Sequence, residues 1–191
     1  VGLTPEGAAA LIKSGITVTV EQSSTRCIPI HGYIDAGCNT APEHSWPSAP
    51  ADAIIFGLKE LPDDGTPLPH KHILFGHAFK GQPCGQRLLK RFVSAGGCLY
   101  DLEYLVDPAG RRVAAFGFWA GYAGAAITLK CWAAQQRAEV AGPVKTYSSS
   151  SKLLADLNHE FDTISAPRPN ALVIGALGRV GTGAADLCAK M

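Results

Sequence analysis

The sequence predicts an α/β protein with a parallel sheet, followed by a glycine-rich turn that opens a helix. Two continuous apolar runs, within residues 53–57 and 72–79, are typical of strands that are covered on both faces. Helical segments alternate with these strands along the chain, which is the pattern of α/β layering. The glycine-rich turn begins at residue 175 and follows a third apolar run.

The individual elements follow from local signals. Thr4 can cap a first helix, Pro5 suits its first position and Gly15 ends it. Residues 41–50 contain three prolines and are predicted to be a loop, and residues 139–151 are the best linker candidate. Further helices are predicted at 27–37, 86–95, 116–136 and 152–164, and strands at 16–20, 53–57, 72–79, 98–104 and 171–174.

Composition narrows the classes of function. The chain has 191 residues, is 47% apolar and carries a formal net charge of +1, so neither nucleic acid nor a membrane surface is a predicted partner. No apolar run approaches the roughly 20 residues of a spanning helix. The six cysteines are scattered without a C-x-x-C pair, which favours reduced thiols and a cytoplasmic location over a zinc site or disulfides.

The glycine-rich turn is the clearest local signal for a ligand. Gly175, Gly178 and Gly181 let the backbone approach a pyrophosphate, and the following helix offers free N–H groups. The spacing is G-x-x-G-x-x-G rather than G-x-G-x-x-G, so a tight structural turn is the alternative. The turn predicts a Rossmann-like dinucleotide-binding domain that begins within residues 116–191, after an N-terminal parallel-sheet domain at 1–115.

A second candidate site depends on strand ends. Lys59 and His77 each lie at the carboxyl end of a predicted strand, and sites in open α/β sheets form at that edge. Both side chains can act as acid or base near neutral pH if their environment tunes them, and Glu60 or Glu103 could supply the tuning charge. A surface lysine and an ordinary histidine are the alternative interpretation of the pattern alone.

Other polar pairs are weaker candidates. His70 and His72 resemble half a metal site, but no third ligand is evident, so no metal is predicted. Arg111 and Arg112 could bind carboxylates, or could be solvated charge after a turn.

Aromatic residues cluster at the start of the long apolar segment. Helix core is the simplest interpretation of this group, although Phe116 lies close enough to Arg111 in sequence to line the same pocket. The group comprises Phe116, Phe118, Trp119 and Tyr122.

Several of these stretches occur together in one known family. The chain resembles the NAD-dependent, lysine-forming saccharopine dehydrogenases, within the alanine dehydrogenase/transhydrogenase superfamily, nearly end to end. The motifs that carry the resemblance are GLKELP at 57–62, FGHAFK at 75–80, LYDLE at 99–103, GRRVAAFG at 110–117 and IGALGR at 174–179.

The resemblance implies a reaction and roles for particular residues. It implies that saccharopine and NAD are converted to lysine, 2-oxoglutarate and NADH, by an enzyme expected to be a monomer when complete. It makes Lys59 and His77 the acid–base pair, with Glu60 and Glu103 as glutamates near them. It places Gln82 and Phe116 at the substrate, and Arg111, Gly178 and Arg179 near the cofactor.

The resemblance also predicts that this chain is a fragment. The family has a first strand, ending in a substrate-binding arginine, before the helix that starts here near Thr4, and this chain begins at Val1. Most of the dinucleotide domain is also expected to be missing, so the chain alone is expected to be unstable and inactive.

A peroxisomal location is the alternative to the predicted cytoplasmic location. Val180 stands where the family has a cysteine.

Two rival functions remain open at this point. An alanine dehydrogenase or transhydrogenase relative would share the lysine–histidine pair and bind a smaller acid. A non-catalytic protein could instead keep the fold for interaction.

Overall fold

The computed structural model describes residues 2–59 and 61–191 of the chain. These residues form two compact units, Val1–Ala114 and Ala115–Met191. The first unit contains all the strands that are described, and the second contains helices and irregular segments.

The first unit begins with a helix and a two-stranded parallel sheet. The Thr4 hydroxyl caps the first helix by accepting a hydrogen bond from the Gly7 N–H at 3.2 Å. Tyr33 is buried beneath this helix, and its hydroxyl donates to the Leu3 carbonyl at 2.6 Å. The elements are α1 (Pro5–Lys13), β1 (Thr19–Glu21), α2 (Ile30–Asp35) and β2 (Asn39–Ala41), and β1 pairs with β2 in parallel.

A three-stranded parallel sheet completes the first unit. Its order is β3-β4-β5, and a helix makes the crossover from β4 to β5. The elements are β3 (Ile54–Phe56), β4 (Lys71–Leu74), α3 (Pro83–Ala95) and β5 (Cys98–Asp101). Gly97 allows the chain to enter β5, since a Cβ there would lie 2.0 Å from the Leu68 carbonyl oxygen.

Helix α3 covers one face of this sheet. Residues that pair across a parallel sheet share a face, and Ile55, His72 and Leu99 are such a row. The His72 ring packs edge-on against Phe92 of α3, with the ring centroids 5.3 Å apart. The parallel sheet and its crossover helix confirm the α/β fold class.

The second unit is a group of three helices, α4 (Phe118–Gln136), α5 (Ser150–Asp162) and α6 (Arg179–Lys190). Tyr122, Leu129, Leu157 and Leu187 are among its buried core residues. Helices α4 and α6 approach so closely that a Cβ on Gly183 would lie 1.8 Å from the Phe118 carbonyl oxygen.

One predicted strand is wrong, and one observed strand was not predicted. Residues 171–174 do not form a strand, and Leu172 and Ile174 are exposed. A strand is stabilised by pairing, and the described residues of 115–191 contain no strand with which 171–174 could pair. Strand β2 (Asn39–Ala41) has only three residues and forms by pairing with β1.

None of the helices in residues 2–59 and 61–191 combines the length and apolar character that a membrane span requires.

Candidate active site

Three neighbouring strands end at the same edge of the sheet. Lys59 follows β3, His77 follows β4 and Glu103 follows β5. The strands stay paired up to this edge, because the Gly57 N–H donates to the Ile73 carbonyl at 2.9 Å and the Phe75 N–H to the Leu58 carbonyl at 3.2 Å. The carboxyl ends of parallel strands are where open α/β sheets place their sites.

His77 and Glu103 form the best-defined contact at this edge. The imidazole Nδ1 lies 2.8 Å from the Glu103 carboxylate Oε2, within hydrogen-bond distance. His77 adopts a φ of 49°, in the left-handed region that residues other than glycine rarely occupy. Such backbone strain persists only where the surroundings hold it, and it is concentrated at functional sites.

Glu103 is the centre of a cluster of cations. Its carboxylate Oε1 lies 2.9 Å from the Lys80 ammonium and 3.0 Å from the Arg112 guanidinium, and its side chain is only 10% exposed. The hydrogen bond from Lys80, followed by the charges of Arg112, Lys80 and His77, lowers the pKa of Glu103 despite desolvation, which acts to raise it. The carboxylate is therefore ionised at neutral pH and can pair with the cations around it.

Lys59 lies at the end of β3, in a bend that directly follows the strand, and its side chain is exposed to solvent. Because β3 and β4 are adjacent, the structure brings Lys59 and His77 to neighbouring strand ends. The predicted tuning residue Glu60 lies outside the described residues.

Two residues predicted to bind ligands in the first unit lie on exposed segments. Gln82 is the residue before α3, in the same connection as His77. Arg111 is 78% exposed, and its guanidinium pairs with Asp107 at 2.9 Å within the 107–111 turn. It is Arg112 and not Arg111 that contacts Glu103.

The sequence did not single out Lys80, and it offered Arg112 only as one of two arginines that could bind a carboxylate or be solvated. A signal for Lys80 was present, because it lies three residues after His77 in the FGHAFK stretch at 75–80. No periodicity in the sequence shows that Lys80 and Arg112 both contact the Glu103 carboxylate, because that depends on the path of the loops that carry them.

The aromatic group of the second unit is only partly core. Tyr122 is buried, as predicted, whereas Phe116, Phe118 and Trp119 are exposed. Phe118, Trp119 and Tyr122 nevertheless contact one another through their rings, with centroids 5.1–6.1 Å apart. The substrate-contacting role of Phe116 stays a prediction.

The glycine-rich turn leads into α6. Gly175 has a φ of 80°, its carbonyl accepts a hydrogen bond from the Gly178 N–H at 2.9 Å, and Gly178 is the N-cap of the helix. A Cβ on Gly181 would lie 2.0 Å from the Gly175 oxygen, so the tight turn requires glycine there. Gly178 provides no side-chain cap, and the first N–H groups of α6 could donate hydrogen bonds to an anionic group such as a pyrophosphate.

The two histidines that resembled half a metal site belong to the interior of the first unit. His72 is fully buried between Trp46 and Phe92, and His70 contacts the Ala49 carbonyl at 3.1 Å. Among the described residues, no group of three or more His, Cys, Asp or Glu side chains is placed to hold a metal ion.

A parallel α/β sheet with ionisable side chains along its carboxyl edge is typical of a Rossmann-like domain. The family model of the alanine dehydrogenase/PNT N-terminal domain matches residues 1–123 of this chain. The chain therefore belongs to the alanine dehydrogenase/PNT N-terminal domain family.

Curated relatives match the chain along almost its whole length. It is 44% identical to a saccharopine dehydrogenase [NAD(+), L-lysine-forming] of Yarrowia lipolytica, over 99% of this chain and 53% of the relative. The protein of the same name in Neurospora crassa is 45% identical, over 98% of this chain and 52% of the relative. An alpha-aminoadipic semialdehyde synthase, mitochondrial, of Rattus norvegicus is 30% identical over 64% of this chain.

The predicted resemblance is thereby confirmed, and the chain spans about half the length of the saccharopine dehydrogenases it matches.

Proposed function

We propose that the complete protein to which this chain belongs is an NAD-dependent saccharopine dehydrogenase. It would convert saccharopine, NAD and water to lysine, 2-oxoglutarate and NADH. The observation that carries the proposal is the His77–Glu103 contact of 2.8 Å at the strand end next to Lys59. The identity of about 44% to proteins of that name supports the choice of reaction.

The proposed chemistry needs proton transfers that these side chains can perform. Oxidation at the carbon that bears the secondary amine gives an imine, water adds to it, and the carbinolamine then breaks its C–N bond to release lysine. Each step moves a proton, and an imidazole and an amine at one sheet edge can accept and return these protons. The order in which Lys59 and His77 act stays open.

Glu103 is proposed to tune this pair. Its carboxylate lies within hydrogen-bond distance of His77 Nδ1 and is itself kept ionised by Lys80 and Arg112. Glu60 is proposed to act in the same way on Lys59. These charges would allow proton exchange at neutral pH.

The remaining assignments concern binding. NAD, when bound, is the oxidant of the reaction. We propose that Gly178 and Arg179 bind its pyrophosphate at the N-terminus of α6, and that Arg111 lies near the cofactor, oriented by Asp107. Gln82 and Phe116 are proposed to contact saccharopine.

Organisation and location are proposals of the same kind. The N-terminal substrate domain would end near residue 115, with the dinucleotide domain beginning in 116–191. We propose a monomer in the cytoplasm, without a nucleic acid partner.

The assay of the complete protein tests the substrate. NADH formation is measured with saccharopine and NAD, and in parallel with alanine and NAD. We expect activity on saccharopine, and activity on alanine alone would show an alanine dehydrogenase instead.

The double variant Lys59→Met/His77→Gln tests the acid–base pair. We expect kcat to fall by about two orders of magnitude or more, with NAD binding retained. A turnover close to that of the unaltered protein would refute the assignment.

A further inference from the structure

Asp101 connects the two loops that present the site residues. It is the last residue of β5, and its carboxylate oxygen Oδ1 accepts two backbone hydrogen bonds. One comes from the Gly76 N–H at 3.2 Å and the other from the Glu103 N–H at 3.0 Å. A single oxygen atom therefore joins the residue directly before His77 to the backbone of Glu103.

The loop after β4 depends on such support because His77 has a left-handed backbone. Gly76, directly before it, has little freedom to move toward the sheet. A Cβ on Gly76 would lie 3.0 Å from the Leu99 side chain and 3.5 Å from Asp101 Oδ2. The hydrogen bond to Asp101 thus fixes the strained turn at the point where the imidazole leaves the sheet.

The other carboxylate oxygen indicates that this arrangement serves more than local stability. Oδ2 of Asp101 is buried and accepts no hydrogen bond from residues 2–59 and 61–191. A buried acceptor without a partner destabilises a fold, so local stability alone does not explain an aspartate at this position.

Other aspartates of the first unit show what ordinary turn capping looks like. Asp64 Oδ1 accepts from the Thr66 N–H two residues later, and Asp107 Oδ1 accepts from Ala109 and Arg111 in its own turn. Asp101 differs because one of its donors, Gly76, belongs to the loop of the neighbouring strand.

We infer that Asp101 is a positioning residue, which sets the geometry of the His77–Glu103 pair by holding both loops on one oxygen atom. The inference rests on the proposed acid–base role of His77. Asp101 would act through the pair and would not touch the substrate.

The test is a double-mutant cycle in the complete protein. The variants are Asp101→Ala, His77→Gln and the combination, with kcat and KM measured for saccharopine and NAD. We expect Asp101→Ala to lower kcat by about tenfold to a hundredfold, the range for a misplaced catalytic group, with the KM for NAD changed less than twofold. In the His77→Gln background the same substitution should lower kcat by less than twofold.

The outcomes separate this inference from the proposed function. If His77→Gln alone keeps a normal kcat, the acid–base proposal has failed. If His77→Gln is strongly impaired and Asp101→Ala lowers kcat equally in both backgrounds, Asp101 is a general structural residue and this inference alone is wrong. An unchanged kcat in Asp101→Ala would also overturn it.

Two further variants complete the experiment. Asp64→Ala removes a turn-capping aspartate away from the site, and it should leave kcat within twofold. If Asp101→Ala does not fold, Asp101→Asn decides, because its amide oxygen is a weaker acceptor at the same position. A two- to fivefold loss of kcat that vanishes in the His77→Gln background supports the inference, whereas an unchanged kcat or a persistent loss refutes it.

Discussion

His77 Nδ1 and Glu103 Oε2 lie 2.8 Å apart although the two residues follow different strands of the sheet. The contact exists because β4 and β5 are parallel neighbours and end at the same edge. Lys80 and Arg112 reach the other carboxylate oxygen, so Glu103 is shared among three basic side chains. The charge of Glu103, and not only its position, is therefore expected to matter.

Replacing Glu103 by glutamine tests this charge in the complete protein. We expect kcat to fall by about tenfold, because an amide holds His77 and the neighbouring cations less strongly than a carboxylate does. Steady-state kinetics with saccharopine and NAD measure the change.

Glu139→Gln is the matched control, since it removes a carboxylate that pairs with Arg137 on the surface. Its kcat should equal that of the unaltered protein. If Glu103→Gln also keeps the original kcat, the charge of Glu103 has no role in the reaction.

His72 should make the stability of the first unit depend on pH. Burial, followed by the charges of His70 and Arg91, lowers the pKa of His72 from 6.5 to about 4. The folded state therefore binds the proton less readily than the unfolded state. The stabilisation is present above pH 6.5 and is lost progressively as the pH falls from 6.5 to 4, by up to about 3 kcal/mol.

Urea unfolding at pH 7.5, 6, 5 and 4.5 measures this loss. In His72→Leu the free energy of unfolding should decline less steeply with falling pH, because the buried titrating group is gone. His31→Leu, which removes an exposed histidine of the same unit, should retain the original slope. Equal slopes in all three proteins would contradict the assignment to His72.

The packing of α4 against α6 should be intolerant of a methyl group at Gly183. A Cβ there would lie 1.8 Å from the Phe118 carbonyl oxygen, so the helices would have to separate. We expect Gly183→Ala to lower the free energy of unfolding by about 1–3 kcal/mol, the usual effect of overpacking.

Gly124→Ala provides the control within α4, because a Cβ at Gly124 meets nothing within 4 Å. It should stabilise the helix by about 0.5–1 kcal/mol through the better helix propensity of alanine. Thermal unfolding monitored by circular dichroism compares the two. A neutral Gly183→Ala would mean that the helices do not pack this closely.

Arg91 holds the connection between β3 and β4 from within the protein. It is 6% exposed, and it donates to the Thr66 carbonyl at 2.7 Å and the Pro62 carbonyl at 2.6 Å while pairing with Asp64. We expect Arg91→Met to lower the free energy of unfolding by about 2–4 kcal/mol, because a buried, charged donor loses two hydrogen bonds to carbonyls together with its ion pair.

The exposed pair of Arg87 with Asp63 offers a comparison on the same helix and the same connection. Arg87→Met should change the free energy of unfolding by less than about 1 kcal/mol, since surface ion pairs stabilise weakly. Urea titrations of both variants measure the two losses in free energy of unfolding. Equal losses would show that burial of Arg91 confers no special role.

Local sequence signals predicted most of the elements. The Thr4–Pro5 start of α1 and the apolar runs of β3 and β4 depend on short-range preferences, and the structure has these elements. The strand predicted at 171–174 is wrong, and β2 at Asn39–Ala41 was not predicted. In both cases pairing with another strand decides the conformation, and pairing is not a local property.

By itself, the sequence determined the family, the α/β class and the residues that follow each strand, namely Lys59, His77 and Glu103. It did so because hydrophobic periodicity and motifs depend on residues that are close together in the sequence. The tertiary structure alone decided that Arg112 rather than Arg111 contacts Glu103, and that Asp101 ties the Gly76 loop to Glu103. These contacts depend on the order of parallel strands and on the path of the loops between them, which bring residues together across distances that no local pattern encodes.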